Sequence, residues 1–205
     1  MRLGMLAVIL AVTTSSADAD TPRDAMEDYF AGEVRGGWVL TGMGVGGLVT
    51  GGVLLAGDGD RAQGASYVVL GFGVAHLAAG VYVNVASRIR RRVYRVAIDK
   101  APQAWVEVES YRMKGVSTQL LVLKIVEVVL IAGGGVMAYY GNDSDRPQLE
   151  GAGYALAAEA AATLLFDIVA SRRASRYRAK LAGSAMLTRD AADQPVLLGG
   201  LMMQF

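Results

Sequence analysis

The sequence predicts an all-α membrane protein, a four-helix bundle built from two tandem helical hairpins. Hydrophobic residues make up 53% of the 205-residue chain and charged residues only 19%, whereas soluble domains contain about 25% charged residues. The apolar residues are concentrated in four long runs, each close to the roughly 20 residues that a membrane-spanning helix needs. The four predicted spans are residues 38–56, 66–86, 118–140 and 149–170.

Residues 1–19 carry the three parts of a secretory signal peptide in the right order. Arg2 supplies the positive charge, residues 3–12 are apolar, and residues 17–19 (Ala-Asp-Ala) form an A-x-A cleavage site. We therefore predict cleavage after residue 19 and a location in the cell envelope. An uncleaved short anchor is the alternative.

The two predicted hairpins share short sequence matches at their ends. Residues 60–63 (Asp-Arg-Ala-Gln) in the first turn match residues 145–148 (Asp-Arg-Pro-Gln) in the second, 85 residues later. Residues 86–88 and 170–172 both read Ala-Ser-Arg, 84 residues apart. Duplication of a helix–turn–helix unit explains these matches, and chance similarity is the alternative.

The segments between the apolar runs differ in the sign of their charge. Residues 20–37 and both turns (57–65 and 141–148) are acidic, whereas residues 88–115 and those directly after residue 170 are rich in Arg and Lys. Because basic segments stay in the cytoplasm, both turns should lie outside and the basic segments inside. A cleaved signal peptide would place the start of the first span outside, so the two inferences conflict and the orientation stays open.

The predicted organisation has six segments. They are a signal peptide (1–19), an acidic N-terminal segment (20–37), membrane hairpin 1 (38–86), a basic connector (87–117), membrane hairpin 2 (118–170) and a basic and apolar tail (171–205). Within the connector, residues 105–112 alternate with period two, which allows a short strand or a segment lying at the membrane interface.

The last residues predict a short strand-like tail. Apolar residues alternate with period two after Pro195 and end at the terminal Phe205. A terminal aromatic residue on such a strand resembles the C-terminal signal of bacterial outer-membrane proteins. We favour the inner membrane as the location, with the outer membrane as the alternative.

Ionisable side chains inside the predicted spans are the candidate functional residues. Charged residues near a helix centre cost about 2.5–3.5 kcal/mol each. Counting about 1.5 Å per residue from the basic ends of the spans places three of them at one depth and two nearer the basic side. The first three are His76, Glu127 and Glu159, and the other two are Lys124 and Asp167. They form either a proton or ion relay or, as we favour, an interhelical cluster that fixes packing.

Glycine dominates the first span. The pairs Gly42 with Gly46 and Gly47 with Gly51 have small-xxx-small spacing, which lets membrane helices approach closely. Residues 42–47 also match the dinucleotide fingerprint G-x-G-x-x-G, but this motif requires a preceding strand and an acidic residue about 20 positions later. We therefore interpret the glycines as helix-packing positions.

Other recognition motifs are missing from the sequence. There is no cysteine and a single histidine, which excludes disulfides and cysteine-based zinc sites and disfavours a His-based metal site or catalytic triad. No P-loop, nucleophile elbow or EF-hand loop occurs. We therefore predict no enzyme activity, no cofactor and no metal, and a membrane enzyme that uses Glu159 and His76 is the alternative. The basic run at 88–95 follows a span directly and indicates a lipid anchor rather than nucleic-acid binding.

Together these patterns predict a structural or accessory integral membrane protein of the cell envelope that associates through glycine-rich helix faces. The predicted partners are membrane lipid and either a second copy of the chain or another membrane protein. The alternative is a proton- or ion-linked transporter or channel subunit that uses the intramembrane polar residues.

Overall fold

A computed structural model describes residues 21–193, 196–198 and 201–203, with side chains up to residue 183. Its helices are α1 (Pro22–Leu55), α2 (Asp60–Lys100), α3 (Pro102–Asp143) and α4 (Pro147–Asp193). All four are long and apolar enough to cross a membrane, so the prediction of four long, apolar helices is confirmed. The predicted signal peptide at 1–19 lies outside the described residues.

Helix boundaries follow from caps and prolines. The backbone N–H of Asp24 donates a hydrogen bond to the Thr21 hydroxyl oxygen (3.2 Å), which caps the start of α1. Only Ala101 separates α2 from α3, because Pro102 disfavours a helical conformation in the residue before it and begins the next helix. In the turn between α3 and α4, Asp145 adopts a φ of 51°, a left-handed conformation that Asp tolerates.

The helices extend far beyond the predicted spans at one end of the molecule. Residues 22–37, 87–100, 102–117 and 171–183 continue the four helices there, and we call them the membrane-proximal bundle. Residues 105–112 are therefore helical, and the expectation of a short strand was wrong. The buried residues Trp105, Glu109 and Met113 recur every four positions, which is helical rather than strand periodicity.

The membrane-proximal bundle has a hydrophobic core of its own. Its rings pack closely: Tyr29 stacks on Tyr177 with centroids 4.3 Å apart, and Phe30 and Trp105 both meet Tyr94 edge-on. The core contains Ala25, Met26, Tyr29, Phe30, Ile98, Trp105, Val106, Met113, Ala174, Tyr177 and Leu181. All four helices contribute, so the acidic segment and the basic connector are parts of one packed unit.

Neighbouring helices pack as antiparallel pairs through small residues. Gly37 lies against Asn84 near one end of the α1–α2 pair, and Gly51 lies against Leu70 near the other. In the α3–α4 pair, Gly141 lies against Glu150. Both short connections, 56–59 and 144–146, therefore lie at one end of the molecule, the turn end. The membrane-proximal bundle forms the opposite end, the basic end.

The two pairs meet along α2 and α4, which run parallel at the centre. A Cβ atom added to Gly64 would lie 1.9 Å from the backbone oxygen of Gln148, and one added to Gly151 would lie 2.0 Å from that of Arg61. Gly64 and Gly151 are 87 residues apart, as are Arg61 and Gln148. The two contacts are therefore equivalent under a shift of 87 residues, and each brings backbone against backbone.

Four of the six tyrosines that are more than 60% exposed lie near the turn end: Tyr67, Tyr139, Tyr140 and Tyr154. The other two, Tyr82 and Tyr111, lie nearer the basic end. Arg88 follows Tyr67 in α2 by 21 residues, or about 31 Å of helix. This distance matches the hydrocarbon core of a bilayer, which is about 30 Å thick. Tyrosines at one boundary and arginines at the other are the residues expected at the edges of a membrane.

The tail after α4 includes two three-residue segments, Val196–Leu198 and Leu201–Met203, which pair antiparallel. The terminal Phe205, on which the predicted resemblance to an outer-membrane signal depends, lies outside the described residues.

Candidate functional site

Polar residues follow one stripe of α4 within the predicted span. Glu159, Thr163, Asp167 and Ser171 recur every four positions, and we call these four residues the α4 ladder. The ladder covers 13 residues, about 18 Å along the helix. A spacing of four keeps neighbouring members on adjoining parts of the helix surface. They can therefore meet side chains from both α2 and α3.

The part of the α4 ladder nearer the basic end, Asp167 and Ser171, faces α3. The Lys124 ammonium group donates a hydrogen bond to the Ser171 hydroxyl (3.0 Å). Glu127, one turn along α3, lies within hydrogen-bonding reach of Asp167. These two residues are only 5% and 6% exposed, and their oxygens Glu127 Oε2 and Asp167 Oδ2 have no donor. Four polar side chains therefore meet between α3 and α4.

The part of the α4 ladder nearer the turn end, Glu159 and Thr163, faces α2. The His76 Nε2 atom lies 2.9 Å from the Thr163 hydroxyl, which itself donates to the backbone oxygen of Glu159 (2.9 Å). Because a hydroxyl has a single proton, His76 must be the donor in the first contact. His76 and Thr163 are also related by the shift of 87 residues. The Glu159 side chain is half-buried.

The structure thus places the five sequence-predicted residues in two groups rather than one. Glu127 pairs with Asp167, while His76 bonds to Thr163 on the α2 side of α4. The counting argument gave depth along each helix but not the direction of each side chain. It also missed Thr163 and Ser171, which are uncharged; their four-residue spacing from Glu159 and Asp167 was the available signal.

The α4 ladder does not continue to the turn end. On the same four-residue spacing, Ala155 and Gly151 follow Glu159. The next charged side chain on α4 is Glu150, which forms an ion pair with Arg61 (2.6 Å). Nine residues separate Glu159 from Glu150, about 13 Å of helix. On this stripe of the described part of α4, polar side chains therefore reach from the basic end only to about mid-span.

The four glycines singled out in the sequence lie on two faces of α1. A Cβ atom on Gly51 would lie 2.7 Å from Leu70, and one on Gly47 would lie 3.0 Å from the Cα of Gly73. Both positions thus face α2. Gly42 and Gly46 are exposed, and a Cβ atom there would meet no atom within 4 Å. One pair serves packing inside the chain, and the other forms a flat outward surface.

In the membrane-proximal bundle, acidic residues of α1 neutralise bases of α2. Glu27 accepts hydrogen bonds from Arg91 and Arg95, and Ser87 donates to Glu33 (2.6 Å). The hydrogen bond from Arg95 is the main cause that lowers the pKa of Glu27, and partial burial opposes it. The start of α1 therefore lies on the same side as the basic segments.

A buried carboxylate organises the core of this bundle. Glu109 is 1% exposed and accepts two hydrogen bonds from Arg112 (2.6 and 2.7 Å) and one from the Tyr177 hydroxyl (3.2 Å). Burial raises the pKa of Tyr177, which keeps the phenol protonated as a donor. The Arg112 guanidinium also lies over the Phe30 ring at 5.8 Å, an arrangement that favours a cation.

Among the residues that the structure describes, no group of three or more His, Asp or Glu side chains could hold a metal ion. The candidate site is therefore the α4 ladder with its partners Lys124, Glu127 and His76. No protein-family model, curated protein or solved structure matches this chain.

Proposed function

We propose that the protein is a structural or accessory integral membrane protein of the cell envelope, which associates through the outward glycine face of α1. The observation that carries this proposal is the pair Gly42 and Gly46, one turn apart on the exposed face of a membrane-spanning helix. Valines at positions 45 and 49, which are 49% and 63% exposed, flank the glycines. Small residues beside valine form the surface on which membrane helices pair.

The glycines that face α2 support this reading by contrast. Gly47 and Gly51 already permit close approach within the chain, which shows how small residues act in this bundle. The outward pair has the same spacing and no intramolecular neighbour. A helix from a second copy of the chain or from another membrane protein fits against it. The equivalent contacts of Gly64 and Gly151 also fit two duplicated hairpins, although their offset of 87 residues differs from the 84 and 85 of the sequence matches.

Leucine substitutions on the two faces should have different effects. Gly42→Leu/Gly46→Leu should keep the helix content and the thermal midpoint but weaken association about tenfold or more, or about 1.4 kcal/mol. Gly47→Leu/Gly51→Leu should instead unfold the bundle, because even a Cβ atom at Gly51 meets Leu70. Analytical ultracentrifugation in detergent, with circular dichroism on the same samples, measures both.

An outward double variant that associates as strongly as the wild type would contradict the proposed role of Gly42 and Gly46. If the wild type stays monomeric at every protein-to-detergent ratio, the result would contradict association of two copies of the chain. Co-purification of a membrane protein with the wild type but not with the outward variant would then identify a different chain as the partner.

We further propose the inner membrane, with the turn end outside and the membrane-proximal bundle in the cytoplasm. The excess of Arg and Lys at the basic end supports this orientation. The start of α1 lies at that same end, paired with Arg91 and Arg95. On this orientation residues 1–19 are not cleaved during export, because cleavage would place the bundle outside.

Single cysteines test this topology. Ser144 in the second turn and Ser175 in the membrane-proximal bundle are both exposed, and the chain has no natural cysteine. In intact spheroplasts, an impermeant thiol reagent should label Ser144→Cys and spare Ser175→Cys until the membrane is opened. Labelling of both from the same side would contradict four crossings, and a reversed pattern would support export with signal cleavage.

A second candidate is a proton-linked transporter or channel subunit. The α4 ladder favours it, because ionisable side chains inside membrane spans commonly form proton paths. The path ends near Glu159 with about 13 Å of apolar helix beyond. A subunit whose partner completes the path fits this geometry better than a stand-alone channel. Its first requirement is a proton-binding site within the span.

A further inference from the structure

We propose that Glu127 and Asp167 together hold a single proton inside the membrane, with Lys124 as their counter-charge. The site would be reached from the basic end only. The inference does not depend on association through Gly42 and Gly46, and it stands whether or not a proton is carried across the membrane.

The unpaired oxygens of the two carboxyl groups are the first observation. Glu127 and Asp167 approach within hydrogen-bonding reach, yet neither Glu127 Oε2 nor Asp167 Oδ2 has a donor. Both residues are at least nine-tenths buried, and leaving buried polar atoms unpaired is costly. One proton between the carboxyl groups would turn two facing acceptors into a donor and an acceptor, which satisfies both.

The charge balance of the group is the second observation. Two ionised carboxylates beside one ammonium leave a net charge of minus one, whereas one added proton makes the group neutral. An uncompensated charge away from water is strongly unfavourable. Hydrogen bonding and charge neutrality therefore both require one proton on the pair Glu127 and Asp167.

No other group on the neighbouring helices supplies the missing positive charge. On α2 the only histidine is His76, which is bonded to Thr163 rather than to either carboxyl group. The portion of α1 from 38 to 55 contains no ionisable side chain. Glu159, two turns along α4 from Asp167, supplies no positive charge in either protonation state. Among the described residues, this group does not contain the three or more His, Asp or Glu side chains that could hold a metal ion.

Access follows from the direction of the α4 ladder. Ser171 and Lys124 lie on the basic-end side of the carboxyl pair, and the exposed Arg172 follows immediately on α4. Toward the turn end, the ladder stops at Glu159 and apolar helix follows. Protons should therefore exchange with the compartment that contains the membrane-proximal bundle.

Infrared difference spectroscopy of the full chain in sealed liposomes tests the proposal. Near neutral pH the wild type should show the carbonyl band of one protonated carboxyl group per chain. Glu127→Gln and Asp167→Asn should each remove the band, because the charge of the remaining carboxylate then cancels that of the Lys124 ammonium group without an added proton. Glu159→Gln is the matched control and should keep it. Lys124→Met should increase the band about twofold, since neutrality then requires two protons.

Wild type without the band, or a band that survives in Glu127→Gln, would overturn the shared proton. Loss of the band in Glu159→Gln alone would assign the proton to Glu159 and also overturn the proposal. The wild-type measurement requires no substitution, so it decides the matter even if a variant fails to fold. Labelling of Ser144→Cys determines which way the protein faces in the liposomes. The band should then respond to pH on the side of the membrane-proximal bundle, and an equal response to pH on both sides would contradict one-sided access.

Discussion

Replacing Gly64 with alanine is expected to lower the free energy of unfolding by about 3 kcal/mol or more, near the upper end for overpacked sites. The added Cβ atom would lie 1.9 Å from the backbone oxygen of Gln148, and backbone cannot rotate away as a flexible side chain can. Gly151→Ala should have the same effect, because its Cβ atom would lie 2.0 Å from the backbone oxygen of Arg61.

Gly71 and Gly133 provide the matched controls. A Cβ atom at either position meets nothing within 4 Å, and alanine is the better helix former by about 1 kcal/mol. Gly71→Ala and Gly133→Ala should therefore be neutral or mildly stabilising. Reversible unfolding in mixed detergent, followed by tryptophan fluorescence, compares the four variants. Equal stability of Gly64→Ala and Gly71→Ala would contradict the close contact between α2 and α4.

Glu109→Gln should be the most damaging conservative change in the membrane-proximal bundle. It leaves the Arg112 guanidinium without its carboxylate, and breaking a buried ion pair costs about 3–5 kcal/mol. Because the Arg112 side chain is 21% exposed, water compensates part of that cost, and we expect about 3 kcal/mol. Near-ultraviolet circular dichroism during urea unfolding reports on the stacked Tyr29 and Tyr177.

Two further variants give this prediction its controls. Glu107 lies on the same helix but is exposed, so Glu107→Gln should change stability by no more than about 0.5 kcal/mol. Replacing both Glu109 and Arg112 with methionine removes both charges and should recover much of the lost stability, because apolar groups often replace buried ion pairs without loss. A double variant less stable than Glu109→Gln would show that the Tyr177 hydrogen bond dominates instead.

The membrane spans were predictable from the sequence, and the membrane-proximal bundle was not. In lipid the backbone N–H and C=O groups must form hydrogen bonds within the segment, so a sufficiently long apolar run is expected to form an α-helix. Outside lipid that constraint disappears, and the charged residues 87–117 resembled a solvated linker. Two signals were available: the four-residue spacing of Trp105, Glu109 and Met113, and the acids of 20–37, which complement the bases of 88–95.

The candidate site was predictable in its residues but not in its grouping. Counting along a helix gives the depth of His76 and Glu127, because the rise per residue is constant. The direction of each side chain depends on which neighbouring helix lies opposite, and that is a property of the packed bundle. The same limit explains the glycines: Gly46 and Gly47 are neighbours in sequence, but they differ by about 100° around the helix axis and face different surroundings.

The unbroken passage of the helices from membrane to membrane-proximal bundle has a mechanical consequence. α2 runs for 41 residues without interruption, a rod of about 62 Å. Membrane helices adjust their tilt when the surrounding bilayer becomes thinner or thicker, at a cost of only fractions of a kcal/mol per Å. A change in tilt of about 5° at the turn end would displace the far end of such a rod by about 5 Å. The single residue Ala101 joins α2 to α3 at that far end, so the displacement would pass to α3. A change in bilayer thickness would therefore alter the packing of the membrane-proximal bundle.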